Sequence, residues 1–175
     1  MTKEVLVVPY NVEWPKMYQM EINRIFPVLK SEIIAMHHIG STSIPGIWAK
    51  PVIDILLEVK TITNIDEYNE SMINLGYEPR GEFRILGRRY FSKKKPPDMR
   101  AHIHAYQSGN LSIERHLAFR NYMIAHPEAA QKYANLKREL AQKYPMDIDS
   151  YCEGKKDFVD GMESKAILWY RKQVK

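Results

Sequence analysis

The sequence predicts an α/β (α+β) fold, in which a small mixed β-sheet carries helices on one face and is followed by a helical C-terminal layer. Two segments, 52–59 and 100–106, alternate apolar and other residues as half-buried strands do. Apolar residues at helical spacing precede the first segment, lie between the two, and fill the chain from Ser112 onward. We expect a single domain over 1–175, with a core of about 1–110 and a helical layer of about 111–175.

The length, charge and cysteine content of the chain limit the classes of function that it can have. A chain of 175 residues can bury a substantial core, and its single cysteine, Cys152, excludes an intrachain disulfide and favours a cytoplasmic location. Val5 to Val8 is too short an apolar run for a membrane span, so no membrane partner is expected. The net charge of +5 favours a nucleotide or another phosphorylated small molecule, although solubility alone would also explain it. Nucleic-acid binding is disfavoured because the basic residues are scattered, and the oligomeric state is left open.

The first third of the chain predicts a helix, a strand and a phosphate cradle. Pro15 suits a first helical turn, so a helix is expected over about Trp14 to Leu29, with Pro27 bending or shortening its end. A strand over Ile33–Ile39 should deliver the turn that follows. In that turn Gly40 permits a sharp bend, and the next residues supply hydroxyls and N–H donors for phosphate. The cradle candidates are Gly40, Ser41 and Thr42, with Lys50 as a nearby cation.

The strand that follows the turn predicts an apolar face and a carboxylate face. Ile53, Ile55, Leu57 and Val59 point one way, whereas Asp54, Leu56 and Glu58 point the other way. A carboxylate at such a position is as often merely solvated as functional. The adjacent Gly-Ser turn favours a functional interpretation.

The middle of the chain predicts a helical crossover and a hairpin. Asn64 or Asp66 can cap a helix that ends at Gly76, in a βαβ-like crossover. A strand over 88–92 and a solvated, lysine-rich turn over 93–98 should follow.

The next strand, from Arg100 to Tyr106, is the second candidate site element. Its alanines and Ile103 should face the core, so that His102 and His104 face the same side as Asp54. Paired imidazoles at alternate positions can bind a transition metal, act as a general base, or hold phosphate when protonated. With Asp54 nearby, they could form a metal site.

Three helices are expected in the C-terminal layer. Ser112 can cap the first, His126-Pro127 breaks it, the second runs from Pro127 to about Tyr144, and Asp147 or Asp149 opens the last. Arg120 and Lys155 interrupt apolar stripes, so each is expected to meet an anion, either a protein carboxylate or a substrate phosphate.

Two stretches, Ile39–Gly46 and Ala49–Ile55, resemble the signature of the GrpB family, a bacterial group placed in the nucleotidyltransferase superfamily and sometimes fused to dephospho-coenzyme A kinase. The similarity extends over nearly the whole chain and includes the His-x-His strand. It implies a nucleotidyltransferase-like fold, in which carboxylates at alternate strand positions hold a divalent metal that bridges the triphosphate of a nucleotide.

Some residues of this chain match the superfamily's metal-binding pattern and others depart from it. Gly40, Ser41 and Asp54 match the superfamily pattern, but Leu56 stands at the second carboxylate position. Glu58 lies about 13 Å of strand rise from Asp54, so the two would not chelate one ion together. His104, with His102, lies where the superfamily places its third carboxylate.

The leading prediction is a metal-assisted transfer of a nucleotidyl or phosphoryl group to a small acceptor, with a nucleotide as substrate. The metal would be Mg²⁺, with Mn²⁺ or Zn²⁺ as alternatives, and its ligands would be Asp54, His102 and His104. The catalytic candidates are Asp54, His104 and Glu58, and the phosphate-binding candidates are Gly40, Ser41, Thr42, Lys50, Arg88, Arg89, Arg120 and Lys155.

Two alternatives from other classes stay open. The first is a non-catalytic nucleotide or phosphometabolite binder that kept the fold, which Leu56 favours. The second is a histidine-dominated, metal-dependent hydrolase, which the His-x-His strand favours.

Overall fold

A five-stranded mixed sheet forms the centre of the computed structural model, which describes residues 4–95 and 99–173. The strand order is β1-β2-β5-β4-β3; β2 and β5 are parallel and every other neighbouring pair is antiparallel. The strands are β1 (Ile33–Ile39), β2 (Val52–Val59), β3 (Glu78–Pro79), β4 (Arg88–Lys95) and β5 (Met99–Gln107). The helices are α1 (Trp14–Leu29), α2 (Asn69–Asn74), α3 (Leu111–Ala125), α4 (Pro127–Lys143) and α5 (Ile148–Gln173).

The main core lies on one face of the sheet, as the alternation in β2 and β5 predicts. The inward residues of both strands are at most 2% exposed and pack beneath α1 and α2. Helix α1 has the predicted bounds and continues past Pro27. The mixed sheet with its helices confirms the predicted fold class.

The opposite face is partly covered by the C-terminal layer. Ile113 and Leu117 of α3 pack on Ile39, Leu56 and Tyr106, so the Leu56 side chain is fully buried. The loop after the Gly-Ser turn also contributes Ile44 and Ile47 to a cluster with α3 and α4. The start of β2 and the helical layer are therefore held close together.

The predicted lysine-rich turn is wrong where the structure describes it. Strand β4 continues to Lys95, and residues 96–98 of the predicted turn lie outside the described residues. Lys93 lies on the core face because side chains alternate along β4. Its Nζ donates a hydrogen bond of 2.8 Å to Glu21 of α1, and both side chains are 4% exposed.

Two helix starts differ from the expectation. Asn110, not Ser112, caps α3, because its Oδ1 accepts a hydrogen bond from the Ser112 N–H at 2.9 Å. The expected helix after β2 is a 3₁₀ helix over Ile62–Tyr68, followed by the short α2, and neither has a side-chain cap. Isoleucine, threonine and aspartate in this segment favour the α-helix poorly. No helix in the described ranges is long and apolar enough to cross a membrane.

Candidate functional site

A cavity of about 260 Å³ lies where the Gly-Ser turn, the starts of β2 and β5, and helices α4 and α5 meet. Seven of the predicted site residues line it: Gly40, Ser41, Thr42, Lys50, Asp54, His102 and Lys155. Five lining residues had not been predicted: Val52, Arg100, Tyr133, Lys137 and Tyr151. Residues from the sheet core and from the helical layer thus share one cavity.

Asp54 is the carboxylate of this cavity, and two histidines of β5 are directed at it. His104 Nε2 lies 3.1 Å and His102 Nδ1 lies 3.6 Å from Asp54 Oδ1. This follows from the register, because the parallel pairing sets Asp54 beside His102 and Leu56 beside His104 on the same face.

An arginine fixes the tautomer of His104. Arg88 Nη1 lies 3.3 Å from His104 Nδ1, and because a guanidinium has only donors, Nδ1 accepts this hydrogen bond. The proton of the neutral His104 ring is then on Nε2, which donates to Asp54 Oδ1. His104 therefore has no free lone pair for a metal ion or for a substrate proton in this arrangement.

Asp54 is a stable anion although its side chain is largely shielded from solvent. Burial raises the pKa of its carboxyl, but the hydrogen bond from His104 and the close approach of the His102 ring outweigh burial and hold the pKa well below the ordinary value. A group with such a low pKa is a weak general base near neutral pH and a good hydrogen-bond acceptor.

The Gly-Ser turn packs directly against this carboxylate. Gly40 has a φ of +74°, and a Cβ at this position would lie 2.5 Å from Asp54 Oδ2. Thr42 is 1% exposed, and its hydroxyl donates to the Val52 carbonyl at 2.9 Å. Since that proton is used, His38 Nε2 donates to Thr42 Oγ1, also at 2.9 Å. The hydroxyl of Thr42 thus holds the turn together, and is not free to donate to a phosphate.

Four cationic side chains line the same cavity: Lys50, Arg100, Lys137 and Lys155. The ammonium groups of Lys50 and Lys155 lie 5.2 and 5.0 Å from the Tyr151 ring centroid. Burial, followed by repulsion from Lys155, lowers the pKa of Lys50. Among the residues that the structure describes, one carboxylate, that of Asp54, lines the cavity beside these four basic side chains, so basic groups are in excess.

Lys137 is the most unusual of the four. It is 2% exposed, and among the described residues its Nζ has no hydrogen-bond partner. Its Nζ lies over the Tyr133 ring, 4.3 Å from the ring centroid. Burial, together with repulsion from Lys155 and Lys50, lowers its pKa to about 7. Arg100 has a similar feature, because its buried Nε also lacks a partner in the described part of the chain.

The donor set does not fit a magnesium ion. Mg²⁺ requires oxygen ligands in octahedral geometry, whereas among the described residues Asp54 is the one carboxylate that lines this cavity, together with four basic side chains. The superfamily's second carboxylate position is Leu56, which is fully buried under α3. Within residues 4–95 and 99–173, no three His, Cys, Asp or Glu side chains are grouped so that they could hold a metal ion.

The remaining predicted residues lie away from the cavity. Arg89 points to the other face and pairs with Asp66, with Nε 2.7 Å from Oδ1. Arg120 donates to the His38 carbonyl at 3.0 Å, and thus meets a carbonyl rather than the expected anion. Glu58 accepts a hydrogen bond of 2.7 Å from Ser108. Arg88 holds His104 and does not line the cavity.

Comparison with known proteins identifies the family. The GrpB family, described as GrpB protein, matches residues 4–165. The chain belongs to the GrpB family. It is 44% identical over 167 residues to the Bacillus subtilis UPF0157 protein YqkA, which covers 95% of this chain and 48% of YqkA. The chain thus spans about half the length of that relative.

Two solved structures define how far the GrpB fold resembles other proteins. The crystal structure of the conserved protein GrpB from Enterococcus faecalis has a TM-score of 0.90 and 38% identity, over 94% of this chain and 99% of that one. A structure of the Cid1 poly(U) polymerase with Mg and 3′-dATP bound has a TM-score of 0.54 and 14% identity, over 77% of this chain and 43% of that one. This second likeness shows that the GrpB chain has a nucleotidyltransferase-like fold.

Proposed function

We propose that this GrpB protein binds the phosphate portion of a nucleotide or of another phosphorylated small molecule, and that it does so without a divalent metal. The observation that carries the proposal is Lys137, a buried lysine with no partner among the described residues that lines a cavity with three other cations. An uncompensated buried cation is strongly destabilising, so an anionic ligand is the natural counterpart.

The cavity offers several kinds of donors to such an anion. Lys50, Lys137 and Lys155 supply ammonium groups, and Arg100 supplies a guanidinium whose Nε is unpaired in the described structure. Charge-assisted hydrogen bonds from these groups are about twice as strong as neutral ones. In nucleotidyltransferases of the wider superfamily, metal ions offset the phosphate charge; here we assign that task to lysines.

The geometry favours binding over metal-assisted transfer. Transfer through Mg²⁺ in this superfamily uses at least two carboxylates, whereas the described residues supply only Asp54 to the cavity and Leu56 is buried in an apolar cluster. The histidine-dominated hydrolase is also disfavoured, because both ring nitrogens of His104 are engaged by Arg88 and Asp54.

Thermal unfolding in the presence of ligands tests this proposal. Inorganic phosphate, pyrophosphate and nucleoside mono- and triphosphates would each be titrated in excess chelator and again in Mg²⁺. A ligand at one hundred times its dissociation constant stabilises by about 2.7 kcal/mol, which corresponds to a rise in melting temperature of about 5–10 °C for a chain of this size. We expect that rise in chelator, and we expect Lys137→Met to reduce it to about a third or less at the same ligand concentration.

Lys132→Met is the matched control, because Lys132 lies exposed on the same helix and its replacement removes the same charge. This variant should respond to phosphate as the native protein does. Stabilisation that requires Mg²⁺ and is lost in Asp54→Ala would instead support metal-assisted transfer.

A further inference from the structure

We infer that the ligand of this cavity carries a hydroxyl group close to its phosphate, and that Asp54 accepts a hydrogen bond from that hydroxyl. The ligand class is then a phosphate monoester of a sugar or another polyol, which includes nucleoside 5′-phosphates. This inference rests on the proposed phosphate binding and adds a specificity-determining residue to it.

Asp54 has one oxygen engaged and one available. Oδ1 accepts from His104 and lies 3.6 Å from His102 Nδ1. In the described part of the chain, no hydrogen bond is made to Oδ2, which lies against Gly40 at the cavity wall. An ionised carboxylate oxygen only accepts hydrogen bonds, so one that faces a cavity can accept a hydrogen bond from a ligand.

The charge of the cavity selects the kind of donor. A ligand ammonium would be attracted to Asp54 but repelled by Lys50, Lys137 and Lys155, which line the same cavity. A neutral hydroxyl has no such penalty. The small volume, about 260 Å³, lies below the range of about 300–1,000 Å³ that is typical of drug-sized ligands, which favours a small monoester or the monoester end of a larger molecule.

Arg88 and His104 act as positioning residues for Asp54. Arg88 is 6% exposed and is itself fixed by hydrogen bonds to the carbonyls of Phe83 at 2.8 Å and Glu82 at 3.3 Å. It sets the His104 tautomer, and His104 then turns Oδ1 toward β5. With Oδ1 held in this way, Oδ2 is left for the ligand.

Binding of two matched monoesters tests the inference. Glycerol 3-phosphate and propyl phosphate share a three-carbon chain, but only the former carries hydroxyls, and inorganic phosphate serves as the reference. Because a hydrogen bond to a charged group is comparatively strong, we expect the native protein in excess chelator to bind glycerol 3-phosphate at least about 10-fold more tightly than propyl phosphate.

Variants of Asp54 and His104 separate this role from a structural one. Asp54→Ala should abolish the preference while inorganic phosphate binds as tightly as before or more tightly, since a repulsive charge is removed. His104→Gln can accept from Arg88 and donate to Asp54, so it should keep the preference that His104→Leu loses. Inorganic phosphate affinity reports whether each variant retains the cavity.

The possible outcomes are distinct. If inorganic phosphate does not bind, the proposed function itself fails. If it binds but the native protein does not distinguish the two monoesters, only the hydroxyl inference is overturned. It is also overturned if the preference requires Mg²⁺, because Asp54 would then anchor a metal, or if Asp54→Ala weakens inorganic phosphate binding, because Asp54 would then support the phosphate site itself and not a ligand hydroxyl.

Discussion

Two buried lysines in this chain have opposite surroundings. Lys93 is paired with Glu21, whereas Lys137 has no carboxylate partner in the described structure and faces the cavity. Lys137 destabilises the fold, and a role in ligand binding accounts for a lysine at this position. Their replacement should therefore have opposite effects on stability.

Replacing Lys137 with Met should stabilise the ligand-free protein at pH 7 by about 2 kcal/mol, because it removes a buried cation and keeps the apolar stem. Lys93→Met should destabilise by about 3 kcal/mol, because it leaves Glu21 buried without its ammonium partner. Chemical denaturation measures both free energies of unfolding. A loss of stability in Lys137→Met would contradict the account.

The pKa of Lys137 also predicts how anion binding depends on pH. Its pKa of about 7 in the free protein is below the ordinary value, so the amine loses its charge above pH 7. A bound anion favours the charged form and raises this pKa, so binding takes up a proton and weakens as pH rises. Sulfate is a suitable probe because its own charge is constant over this range.

We expect sulfate affinity to fall by up to about tenfold between pH 7.5 and 8.5, measured by calorimetry. Lys132→Met should reproduce this profile, since Lys132 is exposed. An affinity that is constant from pH 6.5 to 8.5 would mean that Lys137 does not contact the anion.

Of the five lining residues that sequence reasoning missed, Tyr133, Lys137 and Tyr151 belong to the helical layer, whereas Val52 and Arg100 lie on the sheet. Arg100 lies two positions before His102 on the same strand face, so the alternation that identified the histidines could have found it. Lys137 could have been recognised from the sequence, because it is a lysine at a position on the apolar face of α4. Its approach to Lys50 and Asp54 depends on how α4 packs on the sheet, which local patterns do not specify.

At the scale of elements, strands β2 and β5 were the most predictable part of the chain. Their period-two patterns gave the core face and placed Asp54 and the two histidines on one side. The same pattern did not show that α3 covers part of that side. Leu56 therefore is a core residue, and it also occupies the position at which the superfamily has its second carboxylate.

Introducing a carboxylate at that position should disrupt the contact between β2 and α3. Leu56→Asp is expected to destabilise by about 4 kcal/mol or more, because it buries a charge among Ile39, Tyr106 and Ile113. Leu56→Met, which nearly conserves volume, should lose less than about 1.5 kcal/mol. Equal stability of the two variants in denaturant would show that position 56 is not buried as described.

At the scale of the whole molecule, the cavity joins the sheet core to the helical layer. The Gly-Ser turn and Asp54 come from the former, whereas Lys137, Tyr151 and Lys155 come from the latter. An anion bound between them should hold the two parts together more tightly. The sequence predicted both parts, but it could not show that they share a site, since that depends on contacts far apart in the chain.

Amide hydrogen exchange should show that a bound anion stabilises the contact between the sheet core and the helical layer. With saturating phosphate, amides in 130–140 of α4 and 150–158 of α5 should exchange more slowly, together with those of the turn at 40–42, because local opening would now require ligand release. Mass spectrometry of peptic peptides measures the change. Protection confined to residues below 110 would place the ligand away from the helical layer.

The most direct test of metal-independent anion binding is a calorimetric titration with inorganic phosphate in excess chelator. The native protein and Lys132→Met should each bind one phosphate, and Lys137→Met should bind at least about 30-fold more weakly, because it loses a charge-assisted hydrogen bond in a buried site. Phosphate binding that appears only after Mg²⁺ is added, or that is unchanged in Lys137→Met, would contradict the account.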